Sequence, residues 1–266
     1  MGSWTSQVTD LPLALAQMRC EKGDWAGNLA RTAELMAQAQ ATGCAVIVFP
    51  EASLSGYADY RRFPAAAQPL DSPLVQAAVA LTARYGISAS FGLLEPNAGD
   101  SRPLVTQILA AGGRVLGVYR KVHIVDEDVE LFSVALAMPV FDLPVAGATI
   151  PCALAICSDS DRPDLFAAFA RQGARIVFHS AAPGLYGRRT DAAGWQAGYD
   201  WYRGHLAHHL GMAAQANHLP IAVAAQTGAT VDEDFPGGSC VFGPDGTLLL
   251  AAPDWSETLL ITTVAV

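Results

Sequence analysis

Three side chains that acyl-transfer chemistry needs occur in order along this chain, each at the end of an apolar stretch: Glu51, Lys121 and Cys157. Cys157 closes the run Ile150-Pro151-Cys152-Ala153-Leu154-Ala155-Ile156 and is followed by polar Ser158-Asp159-Ser160-Asp161, with a helix beginning near Asp164. A strand, a sharp turn and a helix in that order lift a nucleophile to the carboxyl end of a sheet, beside free backbone N–H groups. Ionising an ordinary thiol at pH 7 costs about 2 kcal/mol, so a base or cation has to stand nearby. An isolated cysteine is more often a small buried hydrophobe. Cys152, an odd number of residues earlier on the same strand, faces the other way and reads as core. Glu51 follows the buried run 45–49 and Pro50. A carboxylate in that position is expensive unless solvated, paired or catalytic. Lys121 sits in Tyr119-Arg120-Lys121-Val122-His123, where an ammonium can steady an oxyanion or a thiolate. Glu130 stands among Asp126, Glu127 and Asp128, for which a solvated face is the ordinary reading. Singly, none of these residues is diagnostic. Together, base, cation and nucleophile make the minimum set for thiol-based acyl transfer.

The elements that must position them alternate between strand and helix. Strands are predicted over 12–18, 45–49, 87–93, 104–110, 114–119, 140–143, 148–156 and 175–178, and after the last long helix over 221–225, 239–242, 247–251 and 259–264. Helices are predicted from Asp24 toward Gly43, from Ser72-Pro73 to Tyr85, over 164–172 and over 197–217. Some strands are joined by tight turns and others by helices, which implies mixed sheets in a layered α/β fold. No linker or composition shift divides residues 1–266, so one domain is expected.

Composition narrows the function classes. Hydrophobic residues make up 52% of the chain and charged residues 15%, which excludes a disordered chain. The formal net charge of −9 argues against a nucleic-acid binder, which needs a basic footprint. No apolar run approaches the roughly 20 residues needed to span a bilayer, and residues 1–10 lack a leader pattern. Five scattered cysteines without a Cys-x-x-Cys pair make a disulfide scaffold or structural zinc site improbable and point to the cytosol.

With these motifs in hand, the chain resembles the nitrilase superfamily, the carbon–nitrogen hydrolases, over nearly its whole length. Val48-Phe49-Pro50-Glu51 with Gly56-Tyr57 is similar to the family's glutamate motif, Tyr119-Arg120-Lys121-Val122-His123 to its lysine motif, and Ala155-Ile156-Cys157-Ser158-Asp159 to its cysteine motif. The resemblance implies a four-layer α-β-β-α sandwich with two mixed sheets, assembled into a homodimer or higher homo-oligomer. It implies Cys157 as nucleophile, Glu51 as general base, Lys121 with the Ser158 N–H as oxyanion stabiliser, and Glu130 as the second glutamate that positions lysine and substrate. The expected chemistry is hydrolysis of a small linear amide through a cysteine thioester, with release of ammonia or amine and no metal or organic cofactor. Alternatives are an N-carbamoyl amide hydrolase or nitrilase on the same site, or a catalytically silent relative that binds ligands.

Departures from the family pattern fall around the expected substrate pocket. Ser158 stands where an aromatic residue is usual, and His179-Ser180-Ala181 where many members carry Asn before Ser-Ala. Tyr57, Ser158, His179 and Ser180 are the expected substrate-binding residues. Asp159 in place of Glu leans toward amidases. His205 and His209 share a helical face at i, i+4 with His208 beside them, but Leu206 stands where a His-Glu-x-x-His motif places its glutamate, so no metal site is expected. The run Asp232-Glu233-Asp234 reads as a solvated loop able to edge the pocket.

Overall fold

The computed structural model describes residues 9–266, so the segment 1–10 lies, apart from its last two residues, outside them. The first half of the chain comprises β1 (Asp10–Gln17), α1 (Trp25–Ala41), β2 (Val46–Val48), α2 (Pro73–Tyr85), β3 (Ser88–Glu95), β4 (Leu104–Ala111) and β5 (Arg114–Arg120). The second half comprises β6 (Val140–Val145), β7 (Ala148–Ile156), α3 (Pro163–Arg171), β8 (Ile176–Ala181), α4 (Ala192–Leu206), α5 (Met212–Asn217), β9 (Ile221–Ala225), β10 (Thr227–Ala229), β11 (Asp234–Pro236), β12 (Cys240–Phe242), β13 (Leu248–Ala251) and β14 (Thr258–Ala265).

Two six-stranded mixed sheets result, ordered β14-β1-β2-β3-β4-β5 and β13-β12-β9-β8-β7-β6, with β10 and β11 forming a small separate ribbon. Alternation along the strands explains how they stack. On β1, Leu11, Leu13 and Leu15 enter the core between the sheets, while Ala14 and Ala16 face the core under α1 and α2. Val46 and Val48 against Ile47 repeat the pattern on β2, and Val105 and Leu109 against Ile108 and Ala110 repeat it on β4. The far face of the second sheet is closed by α3 to α5, through residues such as Phe166, Phe169, Leu206 and Leu210. The outcome is the expected α-β-β-α sandwich.

Local signals set the helix ends. The Asp24 carboxylate accepts from Gly27 N–H at 2.9 Å, and the Ser72 hydroxyl accepts from Val75 N–H at 3.3 Å, with Pro73 in the first turn. The last long helix starts earlier than the predicted residue 197, because Asp191 caps it by accepting from Gly194 N–H at 2.8 Å. It is interrupted by a π turn over Ala207–Gly211. Among the described residues no helix is long and apolar enough to cross a membrane.

Candidate active site

The three chemical residues converge where the carboxyl ends of β2 and β5 in one sheet meet those of β7 and β8 in the other. Glu51 lies in a tight turn just beyond β2 that is held down on β3. Ser53 Oγ accepts from Gly92 N–H and Ser55 Oγ from Leu94 N–H, both at 3.0 Å, while Leu54 N–H donates to Gly92 O at 2.9 Å. A side chain at residue 92 would put its Cβ 2.3 Å from Ala52 N, so only glycine lets this turn approach. Sequence reasoning missed Gly92, whose signal is a glycine inside an otherwise apolar strand.

Lys121 follows β5, its N–H donating to Val105 O at 2.9 Å and its carbonyl accepting from Ala135 N–H at 3.0 Å. Cys157 opens a 3-10 turn, Cys157–Asp161, directly after β7, with φ of 44°. A non-glycine residue in this left-handed region stores backbone strain, as at a nucleophile elbow. The buried Asp159 fastens this turn to the lysine segment. Its carboxylate accepts from Tyr119 Oη at 2.6 Å, Ile156 N–H at 2.9 Å and His123 N–H at 3.0 Å. One carboxylate thus locks the Lys121 and Cys157 segments, on opposite sheets, in a single register.

Glu51 has no exposed surface and Lys121 is only 2% exposed. Glu51 Oε1 accepts from Lys121 Nζ at 2.8 Å, and Oε2 accepts from Ala182 N–H at 2.9 Å. The Cys157 thiol lies close enough to both Glu51 and Lys121 for their charges to act on it. Burial raises the pKa of Glu51, and the Lys121 ammonium opposes that rise. Burial pulls Lys121 down, but the charge and hydrogen bond of Glu51, together with the neighbouring Cys157 and Asp159, outweigh it and leave the ammonium more firmly protonated than usual. Burial, then the Glu51 charge, push the Cys157 thiol far above its ordinary range, with Lys121 pulling the other way. Cys152 lies fully buried in the core as expected, its thiol pushed up to about 12 by burial.

These groups open into a cleft of about 400 Å³ whose lining includes Lys121, Cys157, Tyr57, Ser158, Trp201 and Tyr202. Of the expected substrate-binding residues, Tyr57 and Ser158 line it. Tyr57 Oη donates to Asp128 Oδ2 at 2.5 Å and its ring lies 5.8 Å from Lys121 Nζ, while Ser158 Oγ donates to His123 O at 2.8 Å. His179 and Ser180 do not line the cleft. The fully buried His179 ring places Nε2 2.9 Å from Cys157 O, and burial lowers its pKa to about 4. A neutral imidazole there donates to the carbonyl of the strained residue. Ser180 Oγ donates to Phe49 O at 2.8 Å, tying β8 to the segment that leads into Glu51. As consecutive residues of β8 they leave opposite faces of the sheet, and each is tied to a backbone carbonyl.

Glu130 is also displaced from its expected place. It ends a 3-10 turn, Asp126–Glu130, and is exposed. Asp128 on the same turn faces the cleft instead, bonded to Tyr57 and close enough to raise the pKa of Glu51. The run 232–234 edges the cleft, as expected, but its charges are paired rather than free in solvent. Asp232 and Glu233 line the cleft and pair with Lys22 Nζ at 2.7 and 2.9 Å, while Asp234 is buried against Arg188 at 2.9 Å. At the other rim, His205 is held below the usual imidazole range by burial and by its neighbour His209.

A family model described as carbon-nitrogen hydrolase matches residues 12–266. Among curated relatives, a probable nitrilase of Schizosaccharomyces pombe is 25% identical over 226 residues, covering 82% of this chain and 75% of its own. An N-carbamoylputrescine amidase of Arabidopsis thaliana is 27% identical over 256 residues, covering 90% of this chain and 81% of its own. Among solved structures, a mutant of the Nesterenkonia AN1 amidase from the nitrilase superfamily superposes with a TM-score of 0.80 at 23% identity, over 96% of this chain and 90% of that one.

Proposed function

Because the chain belongs to the carbon-nitrogen hydrolase family, we propose that it hydrolyses the C–N bond of a small linear amide through a thioester on Cys157. One observation carries the reading: Glu51 and Lys121, paired at 2.8 Å in a buried position, share their site with the Cys157 thiol at the floor of an open cleft.

In this reading the proton of Cys157 passes to Glu51 as sulfur attacks the carbonyl carbon, in keeping with a thiol whose pKa burial and the Glu51 charge raise. Negative charge then develops on the carbonyl oxygen, where the Lys121 ammonium and the Ser158 N–H at the head of the turn receive it. Glu51 delivers the proton to the departing nitrogen, the C–N bond breaks, and ammonia or amine leaves an acyl thioester. Water then gives a proton to Glu51 and attacks the thioester carbon. The second tetrahedral species expels sulfur, which takes the proton back, and the acid is released.

Within this chemistry, one feature of the cleft favours N-carbamoyl amines as a second substrate class. Asp126, Asp128 and Asp161 join the aromatic rings of Trp201 and Tyr202 in the lining, a setting that suits a cationic tail. The N-carbamoylputrescine amidases among the relatives point the same way. The test is ammonia release across short amides, ω-amino carbamoyl compounds and nitriles, with Cys157→Ala as blank. Release from amides or carbamoyl amines by the wild type alone is the expected result. Release that survives in Cys157→Ala, or none from any member of the panel, would refute it.

A further inference from the structure

Asp161, His205 and His209 meet at the rim of this cleft from two separate segments. Asp161 ends the 3-10 turn that begins with Cys157, and the histidines lie where the π turn interrupts the long helix. His205 Nε2 stands 3.7 Å and His209 Nδ1 3.4 Å from Asp161 Oδ1, and the three ligand-type atoms all lie within 4.8 Å of one another. Those separations exceed the roughly 2.7–3.2 Å of N–H···O hydrogen bonds, so the histidines do not simply bond the carboxylate. The two separations from Asp161 lie close to what one ion imposes. Bonds of about 2.0–2.1 Å at a tetrahedral angle hold neighbouring ligand atoms roughly 3.4 Å apart. The Ser160 hydroxyl bridges His205 Nε2 and Asp161 Oδ1 at 3.2 and 3.3 Å, long contacts that an ion would displace. All three side chains are about one-third exposed, which leaves an open path for entry.

We propose that Asp161, His205 and His209 form a site for a divalent transition-metal ion of the zinc class, placed at the mouth of the cleft and separate from the Glu51, Lys121 and Cys157 constellation. Two imidazoles and one carboxylate suit zinc rather than magnesium or calcium, which prefer all-oxygen shells. Asp161 and His205 both line the cleft, so a bound ion clamps the Cys157 turn to the helix and narrows the substrate's entrance. The sequence alone shows only the histidine pair; the third ligand comes from a distant segment. The effect on turnover rests on the hydrolase reading, whereas the binding itself does not.

The experiment is calorimetric titration of Zn²⁺ into the full chain carrying Cys157→Ser, which removes the thiol as a competing ligand. One saturable site of micromolar affinity or tighter is expected, weakened at least tenfold by adding His209→Ala and unchanged by adding His218→Ala, an exposed control. In the otherwise wild-type enzyme, Zn²⁺ is expected to lower turnover reversibly on chelation. His209→Ala should keep the metal-free rate and resist the ion. No saturable binding, or equal affinity in the His209 and His218 variants, would overturn the site. Binding that is lost in His209→Ala but leaves turnover unchanged would uphold the site and overturn its effect on entry.

Discussion

Replacing Lys121 by methionine separates the two jobs of the ammonium, because it removes the partner of a carboxylate that water does not reach. Glu51 and Lys121 are 0% and 2% exposed, so Lys121→Met leaves an uncompensated buried charge. Breaking such a pair costs about 3–5 kcal/mol. The sign with pH follows from the same geometry. Burial already raises the Glu51 pKa above 4.5, and Lys121 is the main force opposing it, so the variant raises it further. A carboxyl group with a raised folded-state pKa adds stability that is fully present below its unfolded value and is lost as pH rises through the folded one. Lys121→Met should therefore lose most of its stability relative to wild type at pH 8 and much less at pH 5, as read by urea unfolding at both values. The double variant Glu51→Gln/Lys121→Met removes both charges and should recover at least half of the loss at pH 8. Activity should not recover. With an oxyanion donor gone, turnover falls about 10²–10³-fold in the single variant and at least as far in the double. A loss of stability equal at both pH values, or a double variant that loses the sum of the two singles, would refute the reasoning. So would turnover near that of wild type.

The buried groups behind the site make two further predictions. His179 has a folded-state pKa of about 4 against an ordinary 6.5, so its contribution is complete above 6.5 and is lost as pH falls toward 4. Wild-type stability should drop by about 3 kcal/mol across that window from this residue, and His179→Gln should flatten the slope in pH-dependent urea unfolding; an unchanged slope would contradict the placement. Ser180→Ala removes a buried hydrogen bond to Phe49 O and should cost about 1–2 kcal/mol with KM unaltered. A large rise in KM without loss of stability would return Ser180 to the substrate's side of the wall.

The parts of the fold visible in the sequence were those fixed by short-range periodicity and capping. Short apolar runs marked β1, β2 and β4 as strands, and Ser72-Pro73 and Asp24 announced their helices. The strand ends placed Glu51, Lys121 and Cys157 together because the carboxyl ends of β2 and β5 in one sheet meet that of β7 in the other. What stayed hidden depended on direction within turns and on contacts between distant segments. Asp128 and Glu130 are two apart on a 3-10 turn of about three residues per turn, so only one of them faces the cleft, and composition cannot say which. His179 and Ser180 follow the pattern of pocket residues in sequence, yet their strand register points them at Cys157 O and Phe49 O. Asp161 and the histidines come from segments more than forty residues apart, and Asp161 belongs to the turn that Asp159 fastens.

In the proposed mechanism, the sulfur of Cys157 carries the acyl group between attack and release. Intact-mass and peptide mass spectrometry of the wild type, acid-quenched during turnover of a slow amide, measures this directly. An added mass equal to the substrate's acyl group is expected, located on Cys157 and absent from Cys157→Ala. Amide turnover with no adduct under single-turnover quench, or an adduct on any other residue, would contradict it.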